Sequence, residues 1–301
     1  MNTLSQTEAL ELLPVLVASV AEQIGARVLL IKGAVVTGHG LRAPRLSDDV
    51  DFMVEPARFE DLVARLTELG WRIPGGDVPS VLDVRHSEAM RHEHWVCELD
   101  VHRMFPGFFA DDADVFEALW ADRSMITLGG IDLPAAGLAG SIVIAALHAL
   151  RVPDMPRHVV ELDQLQTYLR DRASDQTLAE VLALIQVTGS AVPLAPLMPS
   201  LGSVPADESD ADRHQLQQWR LHAAKGDTRA VAWLQELRRQ PWWRWPFAIL
   251  RALLGASEWD LRKNNPQAPP GRRGVWLARW WRLRDVVPQL PKAIALVWRH
   301  R

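Results

Sequence analysis

The sequence has few cysteines and tyrosines and lacks long uncharged apolar runs. Cys97 is its single cysteine, so no disulfide can form within the chain, which favours a reducing compartment. No run of about 18 uncharged apolar residues occurs, which argues against a transmembrane helix. Residues 1–25 form an acid-containing amphipathic pattern without the basic start of a secretion signal. We therefore expect a cytoplasmic protein.

The sequence also lacks a strong excess of charge of either sign. Lysine and arginine number 33 against 37 acidic residues, and the net charge is -4. Strong unspecific binding of nucleic acid by the whole molecule is therefore unexpected, although local basic patches can still bind it. A hydrophobic fraction of 48% over 301 residues is typical of a folded protein with about two domains.

Two aspartates alternate with apolar residues in the stretch 45–54, which reads R-L-S-D-D-V-D-F-M-V. In an extended strand, Asp49 and Asp51 share one face while the apolar residues take the other. Two like charges this close cost free energy unless a cation or a proton compensates them. Oxygen-rich pairs of this kind suit Mg²⁺ or Mn²⁺. The stretch therefore predicts a metal site, and the alternative is a solvated strand face.

Elements on both sides of this strand add to the candidate site. The apolar run 27–31 predicts a buried strand that turns into a helix at Lys32 and Gly33. The segment 95–103 alternates like a second strand and carries Asp100. A third carboxylate is therefore expected on a strand of its own.

These patterns predict an α/β (α+β) fold. We expect a small mixed sheet flanked by helices over residues 1–136, followed by an all-helical domain over 137–301. Further strands are predicted at 71–73, 81–85, 125–128 and 131–133, the last two as a hairpin. Helices are predicted at 7–24, 57–69, 115–120, 141–150, 157–169, 178–186, 212–223, 229–239, 245–254 and 275–286.

The order of these motifs resembles the polymerase-beta-like nucleotidyltransferase superfamily, whose members carry a glycine-containing turn, a D-x-D or D-x-E strand and a third carboxylate on a neighbouring strand. More narrowly, L-I-K-G-A at 30–34, R-L-S-D-D-V-D-F-M-V at 45–54 and E-L-D-V-H at 98–102 resemble the "uncharacterised nucleotidyltransferase" family. The D-x-D motif alone arises by chance, whereas the ordered combination is fairly specific.

The resemblance implies an enzyme that transfers a nucleoside monophosphate from a triphosphate to an acceptor and releases pyrophosphate. It implies that Asp49 and Asp51 bind two metal ions, Mg²⁺ or Mn²⁺, and that Asp100 completes the site of the metal that activates the acceptor. These three are the expected catalytic residues. ATP is the expected triphosphate, and the acceptor is a small molecule, peptide or protein that the sequence does not identify.

The expected triphosphate-binding residues are Lys32, Gly33, Ala34 and Arg45. Gly33 lets the backbone approach the phosphates, and the amides of Gly33 and Ala34 at a helix start can hold them. Ala34 stands where many superfamily members carry serine, so a hydroxyl contact is missing. Lys32 and Arg45 are the cations expected to compensate for it. The alternative for both is a surface charge or a structural ion pair.

Two other functions stay open at this stage. One is a non-catalytic module that keeps the fold and binds nucleotide or metal, which the missing serine at Ala34 favours. The other is a toxin- or antitoxin-like member of the superfamily that acts on a protein or RNA partner. Growth arrest when the protein is expressed would support the toxin-like function.

Histidines and the cysteine admit other interpretations. A zinc site at His86, His92, His94 and Cys97 matches no common structural zinc spacing, and the chain has no second cysteine to close it. Cys97 is expected to be a buried strand residue. His148, in the helix at 141–150, is expected to be a core histidine.

The C-terminal part is rich in tryptophan and arginine. Nine of the 13 tryptophans follow residue 230, and residues 272–301 hold eight Lys or Arg against one acid, Asp285. The commonest cause of such tryptophans is packing between helices. A basic aromatic face could instead contact an anionic membrane surface or nucleic acid. Peripheral membrane contact through this tail is therefore a further hypothesis.

Overall fold

A computed structural model describes residues 4–73, 87–207, 213–223, 243, 261, 267–269 and 271–286. The strands are β1 (Val28–Ile31), β2 (Asp49–Val54), β3 (Ser87–Met90), β4 (Glu98–His102), β5 (Ser124–Leu128) and β6 (Ile131–Ala135). The described helices are α1 (Gln6–Gln23), α2 (Gly33–Gly38), α3 (Phe59–Glu68), α4 (Asp112–Asp122), α5 (Leu138–Leu150), α6 (Pro156–Asp171), α7 (Asp175–Val187), α8 (Arg213–Ala223) and α9 (Arg272–Val286). Short 3₁₀ helices cover Pro56–Arg58 and Ala195–Leu201. The chain forms two compact units, one that contains the sheet with α1 to α8 and one that contains α9.

The six strands form one mixed sheet in the order β3-β4-β2-β1-β6-β5. β2 and β4 are parallel, as are β1 and β6, whereas the other neighbouring pairs are antiparallel. The predicted hairpin is present as β5 and β6. The sheet with its flanking helices confirms the predicted α/β class.

Alternation along the strands divides the core into two layers. Leu30 and Phe52 belong to a cluster with the apolar residues of α1 and α3. Leu29, Ile31 and Met53 point to the opposite face and belong to a cluster with α4, α5, α6 and α7. Full burial of each such side chain contributes about 1.5–3 kcal/mol to the free energy of folding. The two layers hold the middle of the sheet in place from both faces.

The helix that covers the first face is defined by a clear start signal. Ser5 caps α1, and its Oγ accepts a hydrogen bond from the Glu8 amide at 3.3 Å. The Glu8 carboxylate in return accepts from the Ser5 amide at 2.8 Å. The buried stripe that includes Leu13 and Val17 is the pattern that predicts a helix at 7–24, and the capping box shows why α1 begins at Gln6.

Strand β3 was not predicted. Its sequence S-E-A-M lacks the alternation and the β-branched residues that favour a strand, and it lies at the edge of the sheet, where half of its backbone groups need no partner strand. The predicted strand at 81–85 and the predicted helices at 229–239 and 245–254 lie outside the described residues.

Beyond Ala135 all secondary-structure elements in the described residues are helices. α5 packs against α2, α4, α6 and α7, and its inner residues share a cluster with Leu29 and Ile31 of the sheet. The division into domains at 1–136 and 137–301 stays a prediction about which segments fold on their own.

Within the described part of the chain, no helix combines the length and apolar character needed to cross a bilayer.

Candidate active site

The two strands that bear carboxylates lie side by side and run parallel. In their register Asp51 pairs with Asp100, and Ile31 of β1 pairs with Asp51 from the other side. Because side chains alternate, Asp49, Asp51 and Asp100 project from the sheet face that packs against α5. His102, two residues after Asp100, projects from the same face. The fold therefore brings the predicted third carboxylate to the predicted pair.

His102 joins the two paired carboxylates. Its Nε2 lies 3.0 Å from Asp51 Oδ1 and 3.1 Å from Asp100 Oδ2. Ionised carboxylates only accept hydrogen bonds, so Nε2 carries a proton and shares it between them. Ligand atoms of these three side chains all lie within 4.8 Å of one another, as in a metal-binding group.

Lys32 reaches the same carboxylate from the turn after β1. Its Nζ lies 2.5 Å from Asp51 Oδ1 and 5.2 Å from the centroid of the Phe105 ring. The backbone of Lys32 has a φ of 58°, the one positive φ of a non-glycine residue in the described ranges. Such conformations cost of order 1–3 kcal/mol and cluster at functional sites. The strained turn therefore directs a cation at the candidate metal group.

The electrostatics favour ionised carboxylates at the centre of the site. Burial opposes the ionisation of Asp51, but Lys32 and His102 outweigh it and lower its pKa. The pKa of Asp100 is likewise held well below its usual range, against burial, by His102 and then Lys32. Burial lowers the pKa of His102, whereas the two carboxylates raise it, and the net direction is upward.

Asp49 lies on the same face but outside the three-residue group. Its Oδ1 accepts a hydrogen bond from the Ser47 hydroxyl at 2.6 Å. Burial, followed by the nearby charge of Asp51, raises the pKa of Asp49. A cation next to this carboxylate would favour its ionised form and so oppose both effects. The environment of Asp49 is therefore suited to a cation.

The turn that follows β1 has the form the sequence predicted. Gly33, with a φ of 42°, opens α2, and Ala34 is exposed at its first turn. The Gly33 carbonyl accepts from Thr37 Oγ1 at 3.3 Å and from Arg42 Nη2 at 3.1 Å. Arg42 is not among the residues selected from sequence, yet it is the charged side chain that contacts this turn.

Arg45 is placed near the site but is held by an acid of the helical part. Its Nη2 lies 3.1 Å from Glu161 Oε1 on α6, and 41% of the side chain is exposed. The same oxygen lies 3.5 Å from Arg42 Nη1. The structure therefore does not bring Arg45 into contact with Asp49 or Asp51.

Two histidines of the helical part contact each other. His148 of α5 and His158 of α6 meet edge to face, with ring centroids 5.0 Å apart. Burial, followed by the nearby Lys32 and other cations, lowers the pKa of His148 to about 2. A neutral, half-buried His148 agrees with its expected role in the core.

The residues of the alternative zinc site do not form a metal-type group within the described residues. His92 and His94 contact each other with ring centroids 5.4 Å apart, and His92 also packs against Trp71. Cys97 is buried, which raises the pKa of its thiol to about 11. His86 lies outside the described residues.

The sequence of the chain matches a known protein family. The family model described as "uncharacterised nucleotidyltransferase" matches residues 1–195, more than half of the chain. The chain belongs to the uncharacterised nucleotidyltransferase family. The predicted family and the predicted enzyme class, a nucleotidyltransferase, are thereby confirmed. No curated protein sequence matches the chain.

This family member is similar to several solved structures at low identity. The antibiotic-resistance factor ANT(2'')-Ia has 18% sequence identity and a TM-score of 0.41, with 61% of this chain and 94% of that chain covered. The lincosamide antibiotic adenylyltransferase LnuA, solved with lincomycin bound, has 15% identity, a TM-score of 0.36, and coverage of 55% and 99%. An antigenic nucleotidyltransferase-like protein from Paracoccidioides brasiliensis has 13% identity, a TM-score of 0.36, and coverage of 69% and 98%.

Three residues of the candidate site are not among the catalytic or binding residues expected from the sequence. His102 shares the face of Asp100 on an alternating strand and is expected to orient Asp100 or to pack at the strand end, which agrees with its contact to Asp100 Oδ2. Arg42 and Glu161 were not selected either. Nothing in the local sequence signals their contact, because they come from a loop and from a helix more than a hundred residues apart.

Proposed function

We propose that this nucleotidyltransferase transfers a nucleoside monophosphate from a nucleoside triphosphate to an acceptor and releases pyrophosphate, with Mg²⁺ or Mn²⁺ as cofactor. The observation that carries the proposal is the group of Asp51, Asp100 and His102, whose ligand atoms lie within 4.8 Å of one another, beside Asp49. ATP is the triphosphate we assign first.

The residues present fit a divalent cation. Three carboxylates share one sheet face, and Asp100 Oδ1 is buried without a hydrogen-bond partner in the described part of the chain. A buried carboxylate oxygen without a partner is costly unless an ordered water or a bound ion satisfies it. Oxygen ligands suit Mg²⁺ and Mn²⁺. Asp49, Asp51 and Asp100 would hold the metal, which when bound polarises the phosphate and lowers the pKa of the acceptor hydroxyl.

In this proposal the chain's own groups divide the remaining work. Lys32, Arg45 and the amides of Gly33 and Ala34 bind the triphosphate and hold its α-phosphate in line with the acceptor. Asp100, kept ionised by its neighbours, acts as a ligand and orients the acceptor hydroxyl. His102 fixes Asp51 and Asp100 relative to each other through Nε2.

The acceptor is a small molecule, peptide or protein that carries a nucleophilic hydroxyl or similar group. α5 and α6 lie on the face of the sheet that bears the carboxylates, so residues of these helices are the first candidates for acceptor contacts. The predicted cytoplasmic location stays part of this proposal.

The experiment that tests the function uses α-labelled triphosphates with Mg²⁺ or Mn²⁺ and a panel of acceptors. We expect label transfer together with pyrophosphate release, and loss of both in Asp49→Ala. If neither product appears with any triphosphate, and Asp49→Ala leaves metal-dependent nucleotide binding unchanged, the proposal fails.

A second candidate function is a non-catalytic nucleotide-binding module. Two observations favour it: Ala34 supplies no hydroxyl, and Lys32 Nζ lies 2.5 Å from Asp51, where it already neutralises a proposed ligand. Ala34→Ser decides between the two. An enzyme limited by triphosphate binding gains affinity and turnover from the added hydroxyl, whereas a binding module gains affinity without turnover.

A membrane surface is the partner we propose for α9. Trp276 and Trp280, one helical turn apart, are 63% and 64% exposed, and Leu277 beside them is 40% exposed. Arg272 and Arg273 are exposed on the same helix. Exposed indole rings beside arginines are typical of helices that lie in the interface of anionic bilayers.

A further inference from the structure

We propose that Arg42 is a positioning residue for the triphosphate: its guanidinium fixes the peptide between Gly33 and Ala34 so that the Ala34 amide faces the phosphates. The inference rests on the proposed nucleotidyl transfer and names a residue that the sequence motifs do not contain. The Arg42 side chain is only 10% exposed, and its Nη2 donates to the Gly33 carbonyl at 3.1 Å.

The geometry of the peptide unit links the Gly33 carbonyl to the Ala34 amide. A trans peptide is planar, so its C=O and the following N–H point in opposite directions. A donor that fixes the Gly33 carbonyl therefore fixes the Ala34 N–H as well. Gly33 is the residue at which such a constraint matters, because with a φ of 42° and no Cβ it has access to more conformations than any other residue type.

Ala34 has no side-chain hydrogen-bond donor. Its backbone amide is therefore the one group of this residue that can donate to a phosphate, so affinity depends on the orientation of the amide. A hydrogen bond from a charged donor is about twice as strong as one from a neutral donor. It also polarises the acceptor peptide, which makes the Ala34 N–H a better donor.

Arg42 is itself held in place by a residue of α6. Its Nη1 lies 3.5 Å from Glu161 Oε1 of α6. Burial and then Arg45 lower the pKa of Arg42, whereas Glu161, Asp49 and Asp51 favour its charged form. The guanidinium thus spans the turn and α6, and it lies within electrostatic range of both aspartates of the D-x-D strand.

The test compares Arg42→Ala, Arg42→Lys and Glu161→Gln with wild type. Arg27→Ala is the matched control, since Arg27 bridges Glu55 and Glu117 at the other end of β1, away from the site. Dissociation constants for a non-hydrolysable ATP analogue with Mg²⁺, together with KM, kcat and Tm, are measured for each. We expect the dissociation constant and KM to rise about tenfold or more in Arg42→Ala, with a smaller change in kcat.

Arg42→Lys keeps the charge but cannot reach the Gly33 carbonyl and Glu161 together, so it should restore only part of the affinity. Glu161→Gln keeps the contact with Gly33 and should change affinity less than Arg42→Ala. Arg27→Ala should lower Tm and leave nucleotide affinity unchanged. If wild type binds the analogue and Arg42→Ala binds it within twofold, the positioning role is overturned while the proposed function stands.

A second measurement does not depend on the nucleotide. Amide hydrogen exchange over residues 32–36 should accelerate several-fold in Arg42→Ala and stay at the wild-type rate in Arg27→Ala. Unchanged exchange in Arg42→Ala would overturn the inference. Accelerated exchange in a protein that binds no triphosphate would support the constraint on the turn and refute the proposed function.

Discussion

Asp51 and Asp100 stand opposite each other on parallel strands, and one imidazole nitrogen of His102 is shared between them. Asp51 is 4% exposed and is also paired with Lys32. A buried carboxylate with this many cationic partners cannot be replaced without changing the charge balance of the whole group.

Asp51→Asn should weaken the binding of the divalent cation. The amide keeps the shape of the side chain but removes the negative charge that a divalent cation needs, so we expect Mn²⁺ affinity to fall and kcat to fall by about 10²-fold or more. Asp48→Asn is the control, because Asp48 precedes the D-x-D motif and is exposed. Mn²⁺ titration followed by electron paramagnetic resonance checks both variants, and equal affinities would contradict the site.

The D-x-D strand shows how much of the site the sequence could predict. Alternation alone placed Asp49 and Asp51 on one face, because a strand has a period of two. It could not set the register in which Asp51 meets Asp100, since that depends on the pairing of β2 with β4 across almost fifty residues. Nor could it show the positive φ of Lys32, because nothing in the residue type of a lysine favours that conformation.

The contacts of Arg42 and Arg45 with Glu161 could not be predicted from the sequence. Both arginines are in the loop between α2 and β2, where no periodicity exists to assign a direction to the side chains. Their shared partner Glu161 is in α6, and helix packing alone decides that it reaches this loop. The motif R-x-x-x-D-x-D marked Arg45 as a phosphate ligand, a role that stays a prediction.

His148 should make stability depend on pH. Its pKa is about 2 in the folded protein against an ordinary value of 6.5, chiefly because of burial and then Lys32. Below pH 6.5 the unfolded chain therefore binds a proton that the folded chain does not, and stability falls as pH falls. Between pH 6.5 and 5 this amounts to about 2 kcal/mol.

Denaturant unfolding at several pH values between 7.5 and 5 measures this effect. His148→Asn should have a flatter dependence than wild type over that range, even if it is less stable at pH 7.5. The pH dependence of stability that remains in the variant should come from His158, whose pKa is lowered by burial and by Arg157. Identical slopes for wild type and His148→Asn would show that His148 is not held neutral.

Gly137→Ala should destabilise the junction between β6 and α5. A Cβ at this position would lie 1.9 Å from the backbone oxygen of Asp122, whose side chain accepts a hydrogen bond from the Gly140 amide at 2.8 Å. Backbone atoms cannot yield as a flexible side chain can, so we expect a loss of at least about 2 kcal/mol. Gly38→Ala, where a Cβ meets nothing within 4 Å, should be neutral or slightly stabilising. Thermal unfolding of both variants checks the difference.

The exposed tryptophans of α9 should determine binding to anionic lipid. Vesicles with phosphatidylserine should sediment the protein at low salt, and vesicles of phosphatidylcholine alone should not, because the arginines of α9 require a negative surface. Trp276→Ala combined with Trp280→Ala should lower the bound fraction several-fold, since indole rings supply the interfacial part of the free energy. Ile131→Ala, at a hydrophobic side chain that is 50% exposed on the sheet, should bind like wild type. Equal sedimentation of the double variant would exclude α9 as a membrane contact and leave helix packing or nucleic-acid binding as the role of these tryptophans.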